Sequence, residues 1–251
     1  MVCSCVASGD SLKSIPSNAP DHGIGETLEA VHFLCCSVDE VAIADFLRHT
    51  SRLRTFRYSH STKNHDGPRD WDLCKFVTAI EREVGSHLME LSVSIRELRG
   101  SINPGKASMR GFQRLRKLEF PLEIAICNIT AAVCQIAMSN ESSINVSMNH
   151  ALKNNEPSIV DLIPASVSRL AIDSQGTDHH EQALDVMFRG FAAEKASQLP
   201  ALKDIHLVCP SKADDAYKNQ CTRLLAKTKQ VGVILHLEPW SGAASMAWDG
   251  E

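Results

Sequence analysis

The residues best placed by type and spacing to do chemistry run from Gly100 to Ala107. Gly100-Ser-Ile-Asn-Pro-Gly105-Lys106 supplies the glycines and lysine of a phosphate-cradling loop after a candidate strand, LSVSIREL. Such a loop also needs a Ser or Thr hydroxyl on Mg²⁺ directly after the lysine. Ala107 has none, and Ser108 falls one residue late. The spacing therefore predicts a surface loop, with a degenerate P-loop-like nucleotide-binding α/β protein using Gly100–Lys106 as the alternative reading. Asp178-His179-His180-Glu181 has the residue types of a metal site, but neighbouring helical residues diverge by about 100°, so the two imidazoles cannot share one ion. A helix start with an Asp cap accounts for them instead.

The nine cysteines are odd in number and scattered, and neither Cys3-x-Cys5 nor Cys35-Cys36 is followed by a second pair at zinc-site spacing. Free thiols in a reducing compartment are expected. Gly23 and Gly25 precede a strand where a dinucleotide fingerprint must follow one. Gly-x-Ser-x-Gly, His-Glu-x-x-His and paired-carboxylate contexts are missing, so the expectation is a non-enzyme with no catalytic residue, no metal and no cofactor.

The elements that must position any site emerge from a repeated phrase: an apolar residue, two variable positions, a second apolar residue, one variable position and a third. It reads Leu28/Val31/Phe33, Leu53/Phe56/Tyr58, Leu88/Leu91/Val93, Leu115/Leu118/Phe120, Val167/Leu170/Ile172 and Leu202/Ile205/Leu207, with a weaker copy at Val233, Leu235 and Leu237. Successive starts lie 25, 35, 27, 52, 35 and 30 residues apart, so one interval, about 122–166, holds a helix plus a long insertion or a degenerate repeat. Between phrases, helices are predicted from about Val38 to His49 behind a Ser37–Glu40 capping box, and from Leu73 to Gly85 behind Asp70. A helical turn near Ala107–Gln113, a helix over His180–Ser197 and a last one from Ser211 and Asp214 to Lys227 complete the rhythm. The domain expectation is a flexible lead-in over 1–25, a repeat domain over 26–239 and a flexible tail over 240–251.

Doubly wound sheets bury both strand faces and read as near-continuous apolar runs. Here RTFRYS, MELSVS, RKLEFP, SRLAID and KDIHLV are apolar on one face only. The fold class expected is α/β, an irregular leucine-rich-repeat-like solenoid with parallel strands on the concave face and helices on the convex face. Its outward residues would form ladders of Ala30, Thr55, Glu90, Lys117, Arg169 and Asp204 beside His32, Arg57, Ser92, Glu119, Ala171 and His206. The residues predicted to contact a partner are His32, Arg57, Glu90, Lys117, Glu119, Arg169 and His206.

Composition agrees with a binding module. A net charge of −4, from 26 basic and 30 acidic residues, gives no general attraction to nucleic acid or to an anionic membrane. The start lacks the basic and apolar regions of a signal peptide, so an intracellular chain, cytoplasmic or nuclear, is expected, and its three Asn-x-Ser/Thr sequons count as chance. The apolar run Ile124–Met138 is interrupted by Asn128, Thr130 and Gln135 and is too short for a membrane span of roughly 20 residues.

The phrase matches the first half of the leucine-rich-repeat consensus. RHTSRLRTFRYSHS, FVTAIEREVGSHLMELSVSIRELRGSI and GFQRLRKLEFPLEI are similar to the C-terminal repeat regions of filamentous-fungal F-box proteins, over roughly residues 26–239. The resemblance implies a protein or peptide client, as in substrate recognition by ubiquitin ligases. The consensus asparagine would fall at Cys36, Ser61, Arg96, Glu123, Gln175 and Pro210, so an irregular backbone is expected. Only about 25 residues precede the first phrase, which implies a repeat region lacking the F-box and its ligase-adaptor contact, as a truncated product or an orphan domain.

Overall fold

Each phrase becomes a strand whose apolar residues stack, strand upon strand, on the same residues of the next. The computed structural model describes residues 2–5 (backbone only), 27–63, 67–128, 158–174, 180–210 and 212–239. Among them eight strands form one all-parallel sheet: β1 (Val2–Cys5), β2 (Ala30–Cys36), β3 (Thr55–Ser61), β4 (Glu90–Glu97), β5 (Lys117–Pro121), β6 (Arg169–Asp173), β7 (Asp204–Val208) and β8 (Ile234–Glu238). Their spatial order is their sequence order, and the sheet does not close, since β1 pairs with β2 and β8 with β7. The class is α/β. β1 lies within the segment expected to be a flexible lead-in.

Val31, Phe56, Leu91, Leu118, Leu170, Ile205 and Leu235 occupy one register row, each opposite the next. All seven are buried. A flanking row runs Phe33, Tyr58 and Val93, then Phe120, Ile172, Leu207 and Leu237. Parallel strands added always in one direction through right-handed crossovers put every connecting helix on the same face of the sheet. That is why one face is apolar and the other is not.

The helices lying wholly among the described residues include α1 (Glu40–Leu47), α2 (Leu73–Val84), α3 (Ile159–Leu162), α4 (His180–Met187), α5 (Phe191–Gln198) and α6 (Asp215–Gln230), and residues 123–128 are helical as well. α1 packs on α2, α3 on α5, and α6 on α4, α5 and β8. The caps differ from expectation in an instructive way. α1 is capped by Asp39, whose Oδ1 accepts from the amides of Val41 and Ala42 at 3.1 and 2.8 Å, so Ser37 stands outside the helix. α2 starts behind Asp72, not Asp70, and α6 behind Asp214. In each case the carboxylate nearest the first turn takes the orphan amides and gains from the helix dipole as well. The helix expected over His180–Ser197 is two helices, because Gly190 sits at φ +74° between them. Residues 107–113 form irregular chain with a turn and a bend, not a helix.

The strand ends are irregular. Register shifts occur between Phe33 and Cys36 and between His60 and Ser61, and Cys35 has φ +55°. With no asparagine ladder, scattered side chains satisfy the backbone there. The Tyr58 hydroxyl donates to the Cys36 carbonyl (3.0 Å) and accepts from the Val38 amide (2.9 Å), and the Tyr217 hydroxyl donates to the Val208 carbonyl (2.9 Å). Asn128 accepts from the Ala107 amide and donates to the Ile124 carbonyl, both at 2.9 Å.

Leu118→Asp should abolish cooperative unfolding, because it buries an unpaired charge mid-row at a cost of several kcal/mol. The same change at Leu237, 40% exposed on β8, should cost about 1 kcal/mol or less. Chemical denaturation followed by circular dichroism distinguishes the two, and equal effects would refute the row assignment.

Candidate functional site

The polar face is built by the residues that alternate with the apolar rows. Its first row is Ala30, Thr55, Glu90, Lys117, Arg169, Asp204 and Ile234, and its second is His32, Arg57, Ser92, Glu119, Ala171, His206 and His236. Every residue predicted for the site therefore falls on one face and in one of two adjacent rows. β8 adds His236 and Glu238, which reading only six full phrases had missed. Their signal was present in the seventh, weaker phrase, where His236 and Glu238 alternate with Leu235 and Leu237.

Charges on adjacent strands are complementary. Lys117 lies 3.0 Å from Glu90, Arg169 4.0 Å from Asp204, and His236 3.8 Å from Asp204. His206 Nδ1 lies 2.5 Å from Glu238 Oε1, and its ring stacks on His236 with centroids 4.4 Å apart. Partly exposed pairs of this kind each contribute only about 0.2–1 kcal/mol, so they fix side-chain positions more than they stabilise the sheet.

Exposure is uneven along this face. Glu119, expected on an open ladder, is 2% exposed, and Ser59, Ser94 and Ala171 are buried as well. The Ser92 hydroxyl donates to Glu119 Oε2 at 2.7 Å. Burial pushes the Glu119 carboxyl up to about 7; the Ser92 bond and the Arg57 charge oppose the rise, while Asp173 and Glu238 add to it. Burial likewise pushes Glu123 up to about 7 and Asp173 up to about 6. Nothing in the local sequence of KLEFP signals this, because the burial of Glu119 depends on residues distant along the chain.

The other candidates resolve as follows. Ile102 bridges to Trp71 as in a parallel strand pair, and the Trp71 amide donates to the Ser101 carbonyl while the Asn103 amide donates to the Trp71 carbonyl. Gly100 sits at φ +137° with the Arg69 carbonyl 2.2 Å from where a Cβ would lie, so only glycine fits. The Ala107 amide is held by Asn128 and the Ser108 hydroxyl by the Asp161 carbonyl, and no helix follows to aim amides at a phosphate. Asp178 and His179 lie outside the described residues. His180 begins α4, is buried, and faces Ser174 (2.9 Å) and Glu123 (3.8 Å). Among the described residues no group of three His, Cys, Asp or Glu side chains is arranged to hold a metal ion, and no helix is long and apolar enough to cross a membrane.

No family model, curated protein or solved structure matches this chain.

The raised carboxyls predict an inverted pH dependence. A glutamate with an ordinary value of 4.5 in the unfolded chain and about 7 in the folded one binds its proton more tightly when folded. Its contribution to stability is full below about 4.5 and declines until about 7. Glu119→Gln should therefore stabilise the protein at pH 8, by up to about 3 kcal/mol, and change little at pH 4. Denaturation midpoints at the two pH values test this, and a variant less stable than the parent at pH 8 would contradict it.

Proposed function

We propose that this chain is a non-enzymatic protein-interaction scaffold, an irregular leucine-rich-repeat-like solenoid whose polar sheet face receives a protein or peptide client. The observation that supports the reading best is the pair of in-register rows crossing β2 to β8, which set side chains of both signs at fixed strand spacing. A mixed, pre-positioned polar surface suits recognition of another protein, where complementarity rather than one sign of charge selects the partner. It suits a uniformly anionic nucleic-acid backbone or membrane surface poorly.

The sequential, all-parallel order with helices on one face also fits the repeat region of fungal F-box proteins, which by resemblance would place the client among ubiquitin-ligase substrates inside the cell. Among the residues available for contact are His32, Arg57, Glu90, Lys117, Arg169 and His206, with Glu119 acting from beneath as a positioning group for Ser92.

Arg57→Glu combined with Arg169→Glu reverses two charges of this face. Quantitative mass spectrometry of proteins captured by the parent chain and by the double variant should show loss of the specific set, with the variant's melting temperature confirming its fold. An unchanged set from a folded variant would remove the polar face as the client site.

A further inference from the structure

Two adjoining cavities open at the end of the sheet where the strands begin, lined by residues outside the two polar rows. The residues just ahead of consecutive strands are tied together: the Met89 amide donates to the Arg54 carbonyl and the Arg116 amide to the Met89 carbonyl, both at 2.8 Å. Arg54 and Arg116 thus stand two strand spacings apart, roughly 10 Å, with Met89 between them. Arg52 and Arg114 lie two residues earlier, in the turns leading into the same strands.

The smaller cavity, about 310 Å³, is lined by Arg52, Arg54, Arg114 and His87, with Glu29 its one carboxylate. The larger, about 610 Å³, is lined by Arg54, Arg114 and Arg116 together with Gln113 and Ser166, and by no carboxylate. The Ser166 hydroxyl is buried without a hydrogen-bond partner. All four arginines are exposed, and none forms an ion pair with a described acid. By contrast Arg48, Arg82, Arg99, Arg110, Arg169 and Arg189 each lie within 4.0 Å of a carboxylate. Six arginines elsewhere thus find acids, while the four of this rim line open cavities instead, with Arg54 Nη1 against the Met89 sulfur at 3.6 Å.

We propose that the rim binds a phosphorylated polypeptide segment, its phosphoryl dianion seated in the larger cavity among Arg54, Arg114 and Arg116. Guanidinium groups donate in forks that match phosphate oxygens, and three of them around one space call for a group carrying more than a single negative charge. A phosphoserine or phosphothreonine carries about −1.5 to −2 near neutral pH and offers three acceptor oxygens, enough to engage the arginines and the idle Ser166 hydroxyl together. Met89 and Ala201 supply apolar contact for flanking peptide side chains. A nucleic acid fits less well: no Phe, Tyr or Trp lines either cavity to stack on a base, and the whole chain carries −4. The site stands whether or not the polar face receives a client.

The test uses the full chain and fluorescence anisotropy with three probes: a degenerate peptide library with one central phosphoserine, the same library with serine, and a single-stranded oligonucleotide. The phosphorylated library should bind roughly tenfold or more tightly than the other two. Arg54→Ala with Arg116→Ala should erase that preference while Arg223→Glu, exposed on α6, leaves it intact; Arg114→Glu, in an exposed turn, serves if the double variant misfolds. Equal binding of the two libraries, an oligonucleotide bound as tightly as the phosphopeptides, or a preference that survives the arginine changes would each overturn the proposal.

Discussion

A parallel strand whose connections all cross on one side can bury only one of its faces in the helical layer, and the rest of this structure follows from that constraint. The row from Val31 through Phe56, Leu91, Leu118, Leu170 and Ile205 to Leu235 is the buried consequence. Because side chains alternate with period two, fixing that row also fixes which residues oppose one another on the other face. Glu90 meets Lys117 and Arg169 meets Asp204 because Leu91 meets Leu118 and Leu170 meets Ile205. A one-residue slip in any strand would expose its apolar set and scramble the charge pairs together, so packing and surface pattern constrain each other.

The same constraint leaves the strand ends to be solved locally. Each strand must turn into its crossover, and the backbone groups released there need partners. A regular repeat would solve this with one residue type at one position. This chain uses Tyr58 at one turn, Tyr217 at another and Asn128 at a third, each reaching from a different distance in sequence. Such individual solutions allow the repeats to differ in length, from 25 to 52 residues, without interrupting the apolar rows.

What was legible in the sequence divides along the line between local and long-range physics. Strands β2 to β8 and their register could be read because the phrase is a local pattern that packing then repeats: Leu91 and Leu118 announce both their burial and their pairing, whereas β1, which carries no copy of the phrase, was not read. The polar rows could be read for the same reason. Helix starts were read less well, since Ser37 and Asp39, or Asp70 and Asp72, are all competent caps, and the choice between them depends on where the strand before releases the chain. Gly190 breaks a helix that periodicity alone would continue. The burial of Glu119 and the convergence of Arg52 and Arg54 with Arg114 and Arg116 could not be read at all, because each joins groups tens of residues apart. The resemblance to leucine-rich-repeat proteins rests on the phrase, and the sequential parallel order is compatible with it.

The strands lie in sequence order in an open sheet. The most direct measurement is the distance between nitroxides at Ala30 on β2 and Ile234 on β8, introduced through encoded unnatural residues so that the native cysteines stay unlabelled. Six strand spacings separate these positions, roughly 29 Å along the sheet and somewhat less if it curves. Double electron–electron resonance should return one distribution at roughly 20–30 Å, on that spacing. A distribution below about 15 Å would mean that the two strands are near neighbours, through closure or a different order, and would contradict the account.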